Sequence, residues 1–307
     1  MKRFLILFLL PFLALPVFAQ DETGVSSSSE LVLQASTMPE AKLGFTYNLN
    51  FPFLQGDNPL TEDNNIDLSL TAEVSPVSLN GLLDIVWTPI AFIEISAGAR
   101  AGTGWALNLF GGDNYGIGLN LPGENDESEY SGNAFDALLW KVYLGGAFQF
   151  DLAALFPGDW NHIIFKTYHE INLHGNTRAK AGQAWYFEND DGENINGLNY
   201  YGNLLIGYQM PLFLNIVAVL VEADLYLYDT PGRSNWGDDM IRWTLSGILN
   251  FAITEQFNFT LIAQFESKRN YNESNWEDLY YRTRTIDTSN PLSLEFLRVA
   301  AVLSYSF

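Results

Sequence analysis

The chain has 307 residues, no cysteine, and 36 Asp and Glu against 15 Lys and Arg, giving a formal net charge of −21 at pH 7. This acidity argues against nucleic acid as a partner, because binding it requires Lys and Arg to neutralise phosphates. Without cysteine, a disulfide framework, a thiolate metal site and a Cys nucleophile are all excluded.

The first residues have the pattern of a secretory signal peptide. Lys2 and Arg3 precede an apolar stretch at 4–15, and Ala19 supplies the small residue that a signal peptidase reads. The stretch is too short to cross a bilayer as a helix and contains Pro11. We therefore expect residues 1–19 to direct Sec-type export and to be cleaved. Removing Lys2 and Arg3 leaves 15 − 2 = 13 basic residues and a formal charge of 13 − 36 = −23.

The chain that follows begins with a polar stretch and then turns to strict alternation. Residues 20–40 are polar and unpatterned, which indicates a flexible lead or a short plug element. In 42–53, Leu43, Phe45 and Tyr47 start an apolar series that alternates with small or polar residues, which predicts a strand. The same alternation over 66–87 slips by one residue near Pro76, so we interpret this segment as one long strand with a β-bulge.

Eight further strands follow, joined alternately by short turns and long polar loops. The predicted strands are 92–107, 137–153, 162–173, 198–210, 213–228, 240–253, 257–270 and 292–307. The fold class is therefore all-β: a transmembrane antiparallel up-and-down β-barrel over 41–307, with ten strands favoured and twelve as the alternative. Short turns on one side and long acidic loops on the other, of which 108–133 is the longest, are typical of outer-membrane barrels.

Aromatic and charged residues indicate which face of the strands meets lipid. Trp87 and Phe92 flank one short turn and Tyr208 and Phe213 another, as in the aromatic girdle at a membrane interface. Backbone groups in lipid must all be paired, so the strands must close into a barrel. Alternation then turns a set of charged residues toward the lumen. These lumen-lining candidates are Asp67, Glu73, Asp84, Glu94, Arg100, Lys141, Asp151, Glu222, Asp224, Arg242, Glu266, Lys268 and Arg298.

The last strand alternates up to a carboxy-terminal aromatic residue. Leu297, Val299, Ala301 and Leu303 lead to Tyr305 and Phe307 on the same face. This segment resembles the terminal signal by which bacterial outer-membrane β-barrel proteins are recognised for assembly. The resemblance implies an outer-membrane location, with membrane lipid and the barrel assembly machinery as partners.

Enzymatic chemistry finds little support in the sequence. His169 and Glu170 are adjacent, so on a strand they point to opposite faces, and the chain has no Asp-x-His pair. We interpret His162, His169 and His174 as hydrogen-bonded strand or rim residues. The acidic loop clusters, 124–129 and 188–193, lack the spacing of a calcium loop and are interpreted as solvated. No cofactor is expected.

The inward charges are the stronger functional lead. Counted from the lumen-lining candidates, eight are acidic and five are basic. Mixed charges in a narrow lumen either line a small water path biased toward cations or pair off and plug it. The sequence therefore favours a narrow porin-like channel for small ions or solutes with a mixed-charge, acid-leaning lumen. The alternative is a plugged structural or adhesin-type barrel whose long acidic outer loops bind a surface or a partner protein.

Overall fold

The computed structural model describes most of the chain after residue 23. The described residues are 24–38, 40–105, 121–122, 130–131, 134–180, 184–185, 187–188, 194–227, 237–272 and 285–307. The predicted signal peptide, most of the loop 108–133 and the acidic residues 189–193 lie outside them.

The chain forms a closed barrel of twelve antiparallel strands, each paired with its neighbours in sequence and the first with the last. The strands are β1 (Ser26–Ser36), β2 (Glu40–Pro52), β3 (Asn65–Ser75), β4 (Ser78–Ile90), β5 (Ile93–Gly104), β6 (Leu139–Asp151), β7 (His162–Asn176), β8 (Gly197–Gln209), β9 (Leu214–Tyr226), β10 (Arg242–Ala252), β11 (Phe257–Arg269) and β12 (Leu292–Ser306). The predicted up-and-down barrel is confirmed, but the favoured count of ten strands is wrong. Both additional strands come from the first 90 residues.

The first additional strand is β1, which lies within the segment expected to be a flexible lead. It pairs with β2 along its whole length and with β12 from Glu30 to Ser36. The backbones of Ser29 and Phe307 also exchange two hydrogen bonds, of 2.8 and 2.9 Å. This strand was missed because its inward side chains are mostly serines, so its polar and apolar faces differ little at 26–29.

The second additional strand arises from a tight turn where a bulge was expected. Ser75, the last residue of β3, pairs with Ser78, the first residue of β4, and their hydroxyls lie 2.8 Å apart. The Ser75 hydroxyl also accepts a hydrogen bond of 3.1 Å from the backbone N–H of Val77. Pro76 has no N–H to donate and is therefore suited to a turn. The slip in alternation thus marks the reversal of the chain.

The two ends of the barrel differ in their connections. One end, called the turn end, carries the first residues of β1, the last residues of β12 and the connections 53–64, 91–92, 152–161, 210–213 and 253–256. The other, called the loop end, carries 37–39, 76–77, 105–138, 177–196, 227–241 and 270–291. Long loops are therefore confined to one end, but two loop-end connections are short.

The outer surface of the barrel is apolar. Large hydrophobic side chains alternate outward on the strands, as with Leu33 and Leu144, which are 48% and 64% exposed. Aromatic rings contact one another near the turn end, in the pairs Phe53–Trp87, Phe92–Phe148 and Phe213–Phe251. No helix within the described residues is long and apolar enough to span a membrane.

The barrel interior contains a packed apolar cluster on β8 to β12. Leu205, Ile216, Ala218, Leu220, Ile248, Ile262, Ala300 and Val302 form it, and each is at most 3% exposed. A wall residue beside open water would keep far more of its surface. The interior is therefore filled on this side, and we call this set the apolar cluster.

Candidate functional site in the barrel interior

At least five of the thirteen predicted lumen-lining residues are paired with opposite charges inside the barrel. The Arg100 guanidinium lies 3.1 Å from Glu73, and the Lys141 ammonium lies 2.5 Å from Glu170. Glu94 pairs at 2.7 Å with Lys166. Five more candidates are buried or partly buried on inward positions: Asp67, Asp84, Glu222, Asp224 and Arg242. Glu266 is also partly buried, and Arg298, 2% exposed, is ion-paired with Glu40.

Two of the predicted residues lie at the rims. Asp151 accepts a hydrogen bond from the Ala153 N–H and lies 2.7 Å from His162, with both side chains more than one third exposed. Lys268 is 58% exposed and pairs with Glu295 at 3.2 Å near the loop end. The pairing register of β11 with β12 shifts after Gln264, which carries the end of β11 out of the expected alternation. That the thirteen residues line a permeation path stays a prediction.

Near the loop end, four charged side chains from β2, β3, β5 and the connection 177–196 form a buried cluster. The Lys42 ammonium lies 3.5 Å from Glu73 and 3.2 Å from Glu188. Lys42, Glu73 and Glu188 are at most 6% exposed, and Arg100 completes the set. Ser78 donates a hydrogen bond of 2.5 Å to Glu188. We call Lys42, Glu73, Arg100 and Glu188 the ion cluster.

Glu188 belongs to the connection 177–196 and reaches the ion cluster from outside the strands. Burial disfavours its ionised form, but the Lys42 ammonium, the Arg100 guanidinium and the Ser78 hydroxyl outweigh this and hold the pKa of its carboxyl below the usual range. Asn80 donates a further hydrogen bond of 3.3 Å. The expectation that Glu188 belongs to a solvated acidic cluster is therefore wrong.

The same connection is fixed at its base by Asn196 and by buried aromatic rings. The Asn196 amide oxygen accepts hydrogen bonds from the Asn176 N–H at 2.7 Å and from the Trp185 indole at 3.0 Å. Trp185 and Phe187 are at most 1% exposed and pack against Leu139. The connection thus docks at the loop end through both apolar and ionic contacts.

Across the middle of the barrel, tyrosine hydroxyls donate hydrogen bonds to carboxylates. Tyr143 donates to Asp84. Tyr168 donates to Glu170 at 2.9 Å, and Tyr201 donates to Glu222 at 2.7 Å. Each carboxylate therefore keeps a fixed orientation beside an aromatic ring.

On the β2 and β3 side the interior is polar and partly exposed. Thr46 and Thr71 share a hydrogen bond of 2.9 Å, Ser69 donates to Asn48 at 2.6 Å, and Asn50 donates to Asp67 at 2.6 Å. These six residues form what we call the polar wall; apart from Thr71, they are only partly buried. Solvent thus reaches the inner surface of β2 and β3, strands that do not contribute to the apolar cluster.

Sequence reasoning missed several inward charges. Lys166 and Glu170 point inward with Tyr168, because the three residues alternate along one face of β7. The apolar Ile164 on that face and the polar His169 on the outer face obscured the alternation in the sequence. Glu30 and Glu40 lay in the presumed lead. Glu188 has no periodic signal at all, because it belongs to a loop.

The three histidines are hydrogen-bonded, and none of them bonds to a serine among the described residues. His162 contacts Asp151, and His174 lies 2.8 Å from the Ile195 carbonyl. His169 faces outward at mid-strand, where Nδ1 lies 2.6 Å from the Tyr200 hydroxyl and Nε2 lies 3.1 Å from Thr167. Within the described residues, no group of three His, Asp or Glu is arranged to hold a metal ion.

No family model matches the chain, and no curated protein matches it. Among solved structures, the NanC porin is 6% identical with a TM-score of 0.39, the match covering 92% of this chain and 98% of that one. The beta domain of the Bordetella autotransporter BrkA is 11% identical with a TM-score of 0.39, covering 92% and 99%. The Salmonella typhi outer membrane phospholipase, a dimer with bound calcium, is 10% identical with a TM-score of 0.31, covering 91% and 90%.

The closed antiparallel barrel and its apolar outer surface define the class of protein. Every strand edge is paired, as lipid requires, and the charged side chains of the strand centres lie inside. The resemblance to bacterial outer-membrane β-barrel proteins, drawn from the terminal strand, is confirmed at the level of the class.

Proposed function

We propose that this barrel is a narrow channel for small cations in the bacterial outer membrane. The observation that carries the proposal is the uneven interior: the polar wall is partly exposed, whereas the apolar cluster opposite is sealed. A path bounded by hydroxyl, amide and carboxylate oxygens offers a cation substitutes for its water of hydration. A path confined to one side of a twelve-stranded barrel is narrow.

The charges along this path favour cations. Asp67 lies beside the polar wall toward the turn end, Asp84 at mid-height, and Glu73 at the loop end. Arg100 and Lys166 neutralise part of this charge through their ion pairs with Glu73 and Glu94. The remaining carboxylates give the acid-leaning lumen that we assign to the channel, and the ion cluster narrows its loop end.

Single-channel recording of the refolded protein in a planar bilayer tests the proposal. We expect small conductance steps and a reversal potential that shows cation preference in a salt gradient. Asp67→Asn should lower that preference, because it removes a partly exposed carboxylate from the path. Asp287→Asn, on an exposed loop, is the matched control and should leave the reversal potential unchanged. A protein that folds and inserts into the bilayer but gives no conductance steps would contradict the proposed channel function.

The placement in the cell follows from the same proposal. We assign residues 1–19 to the signal peptide, the turn end to the periplasm and the long loops to the outside. We assign Tyr305 and Phe307 to recognition by the barrel assembly machinery, a role consistent with their position at the seam where β12 meets β1. Phe307→Ala keeps the two backbone hydrogen bonds to Ser29 and should slow assembly in cells more than it lowers the stability of the refolded barrel.

The plugged barrel is the second candidate, and the apolar cluster favours it. Leu220 and Ser246 are 0% exposed, so part of the interior excludes water completely. In this case the loops at 108–133 and 270–291 would bind a surface or a partner protein. Deleting 108–133 should then abolish binding to host cells or envelope components while the barrel still folds, and the bilayer recordings should be silent.

A further inference from the structure

Two tyrosine rings lie flat against the inner wall at mid-height, each over a glycine of the preceding strand. A Cβ at Gly98 would lie 2.5 Å from the Tyr143 ring, and a Cβ at Gly145 would lie 2.4 Å from the Tyr168 hydroxyl. Only glycine leaves room for rings in this position. The rings therefore cover the wall and turn one face toward the interior.

The carboxylate beside the Tyr143 ring is not fully used. Tyr143 donates to one oxygen of Asp84, and the second oxygen, Oδ2, is buried without a hydrogen-bond partner among the described residues. Asn172, paired opposite Tyr143, and Asn203, paired opposite Tyr168, are each 5% exposed. Their amide oxygens also have no partner in the described part of the chain.

All three of these atoms are acceptors, so the site lacks donors. Asn203 belongs to the same network, since its amide nitrogen donates to the Tyr201 hydroxyl at 3.3 Å. Buried acceptors without donors cost free energy, and an N–H-bearing ligand would remove that cost. Lys141 pairs directly with Glu170, whereas no ion pair within 4.0 Å joins a cation to Asp84 among the described residues.

The chain itself places an ammonium in this environment. The Lys141 Nζ lies 2.5 Å from Glu170 and 5.3 Å from the centre of the Tyr143 ring. This is the arrangement of a cation over an aromatic face with a carboxylate beside it. Asp84 lies beside the same ring, and its Oδ2 has no hydrogen-bond donor among the described residues.

We propose that Asp84, Tyr143, Tyr168 and Glu170 form a binding site for organic solutes that carry a primary ammonium group. Asp84 accepts hydrogen bonds from the ammonium, and the two ring faces contact the apolar body of the solute. Because the unused atoms are all hydrogen-bond acceptors, a quaternary ammonium, which has no N–H to donate, fits less well than a primary one. This proposal rests on the proposed channel, since the solute reaches the site through the lumen, and it names the solute class.

Equilibrium binding tests the site without requiring conductance. Butylammonium, tetramethylammonium and neutral butanol are titrated into the detergent-refolded protein and followed by saturation-transfer NMR. We expect butylammonium to bind roughly tenfold more tightly than either other probe, as expected for a charge-assisted hydrogen bond. Equal binding of butanol, or of tetramethylammonium, would overturn the proposal.

Variants locate the binding on the named residues. Asp84→Asn should weaken butylammonium binding roughly tenfold, whereas the matched control Asp287→Asn should not change it. If Asp84→Asn fails to fold, Tyr143→Leu and Tyr143→Phe decide: loss of the ring should weaken binding and loss of the hydroxyl alone should preserve it. Unchanged butylammonium binding in both Asp84→Asn and Tyr143→Leu would show that these residues do not form the binding site.

The two proposals fail separately. Specific butylammonium binding in a barrel that gives no conductance steps would contradict the channel and support the binding site. Cation-selective conductance steps without butylammonium binding would contradict the binding site and support the channel.

Discussion

Glu188 is the residue whose environment differs most from its sequence context. It follows two buried aromatic residues in a polar loop, yet its carboxylate lies between Lys42 and Ser78 inside the barrel. Its left-handed backbone, with φ of 57°, lies in a region that non-glycine residues seldom adopt. Such a conformation persists only when its contacts over-determine it, which the ion cluster does.

Lowering the pH should release the connection 177–196 only under strongly acidic conditions. The pKa of Glu188 is depressed in the folded state, so its contribution to docking is present above the ordinary glutamate pKa, about 4.3. It is lost as the pH falls through the depressed pKa. Subtracting the fluorescence of Trp185→Phe from that of the wild type gives the signal of Trp185. This signal reports docking of the connection, because Trp185 is buried. In Glu188→Gln this signal should be altered at neutral pH; an unchanged signal would contradict the prediction.

The outward-facing His169 illustrates how a polar residue is tolerated against lipid. Thr167 donates to the Asn203 carbonyl at 3.0 Å and so accepts from His169 Nε2–H, which leaves Nδ1 to accept from Tyr200. Gly146 and Gly202 are paired on either side of His169. Every N–H and O–H in this group then has an acceptor.

A double-mutant cycle should detect this coupling. Tyr200→Phe leaves the His169 acceptor unmatched, and His169→Phe leaves the Tyr200 hydroxyl unmatched, each costing about 1–2 kcal/mol of unfolding free energy. The double variant should cost less than the sum, with a coupling of roughly 1 kcal/mol. Denaturant unfolding in lipid vesicles measures it, with Tyr47→Phe on the outer face of β2 as a control. Additive effects would mean that the hydrogen bond contributes nothing.

At the scale of elements, the strand count depends on the turn at Pro76. A short epitope inserted after Pro76 should be accepted and should be reachable by antibody from outside the cell, because it lengthens a connection at the loop end. The same insertion after Leu70, in the middle of β3, should prevent folding, since it shifts the register of every following pair. Loss of folding in both variants would favour one continuous strand.

The elements that sequence predicts well are those with a strong contrast between faces. β2, β5 and β12 alternate apolar and polar side chains over most of their length, and their predicted bounds lie close to the observed ones. β1 was missed because its inward positions include serines and a valine, which reduces the contrast between its two faces. The hairpin at 75–78 was missed because a two-residue turn and a β-bulge both shift the alternation of side chains by one residue. The ion pairs across the barrel depend on which strands become neighbours in space and on a loop that folds inward, and alternation encodes neither.

For the molecule as a whole, the interior is divided along the barrel wall. Strands β2 to β7 contribute the polar wall, Tyr143, Tyr168 and most of the ion pairs, whereas β8 to β12 contribute the apolar cluster. The Tyr201–Glu222 pair and the buried Arg298 also lie on β8 to β12, so this part of the wall is not wholly apolar. One side of the interior is therefore a sealed apolar cluster, and another is a partly exposed polar surface.

Opening the sealed half should trade stability for conductance. Leu220 is 0% exposed within the apolar cluster, so Leu220→Ala should lower the unfolding free energy by about 2–5 kcal/mol through lost burial and a residual cavity. Adding Ile262→Ser, which replaces a second buried apolar side chain of the cluster, should admit water and raise the single-channel conductance. Leu144→Ala is the matched control, because Leu144 is 64% exposed on the outer surface. If Leu220→Ala costs no more than Leu144→Ala and the double variant conducts like the wild type, the apolar cluster neither stabilises the barrel nor limits its path.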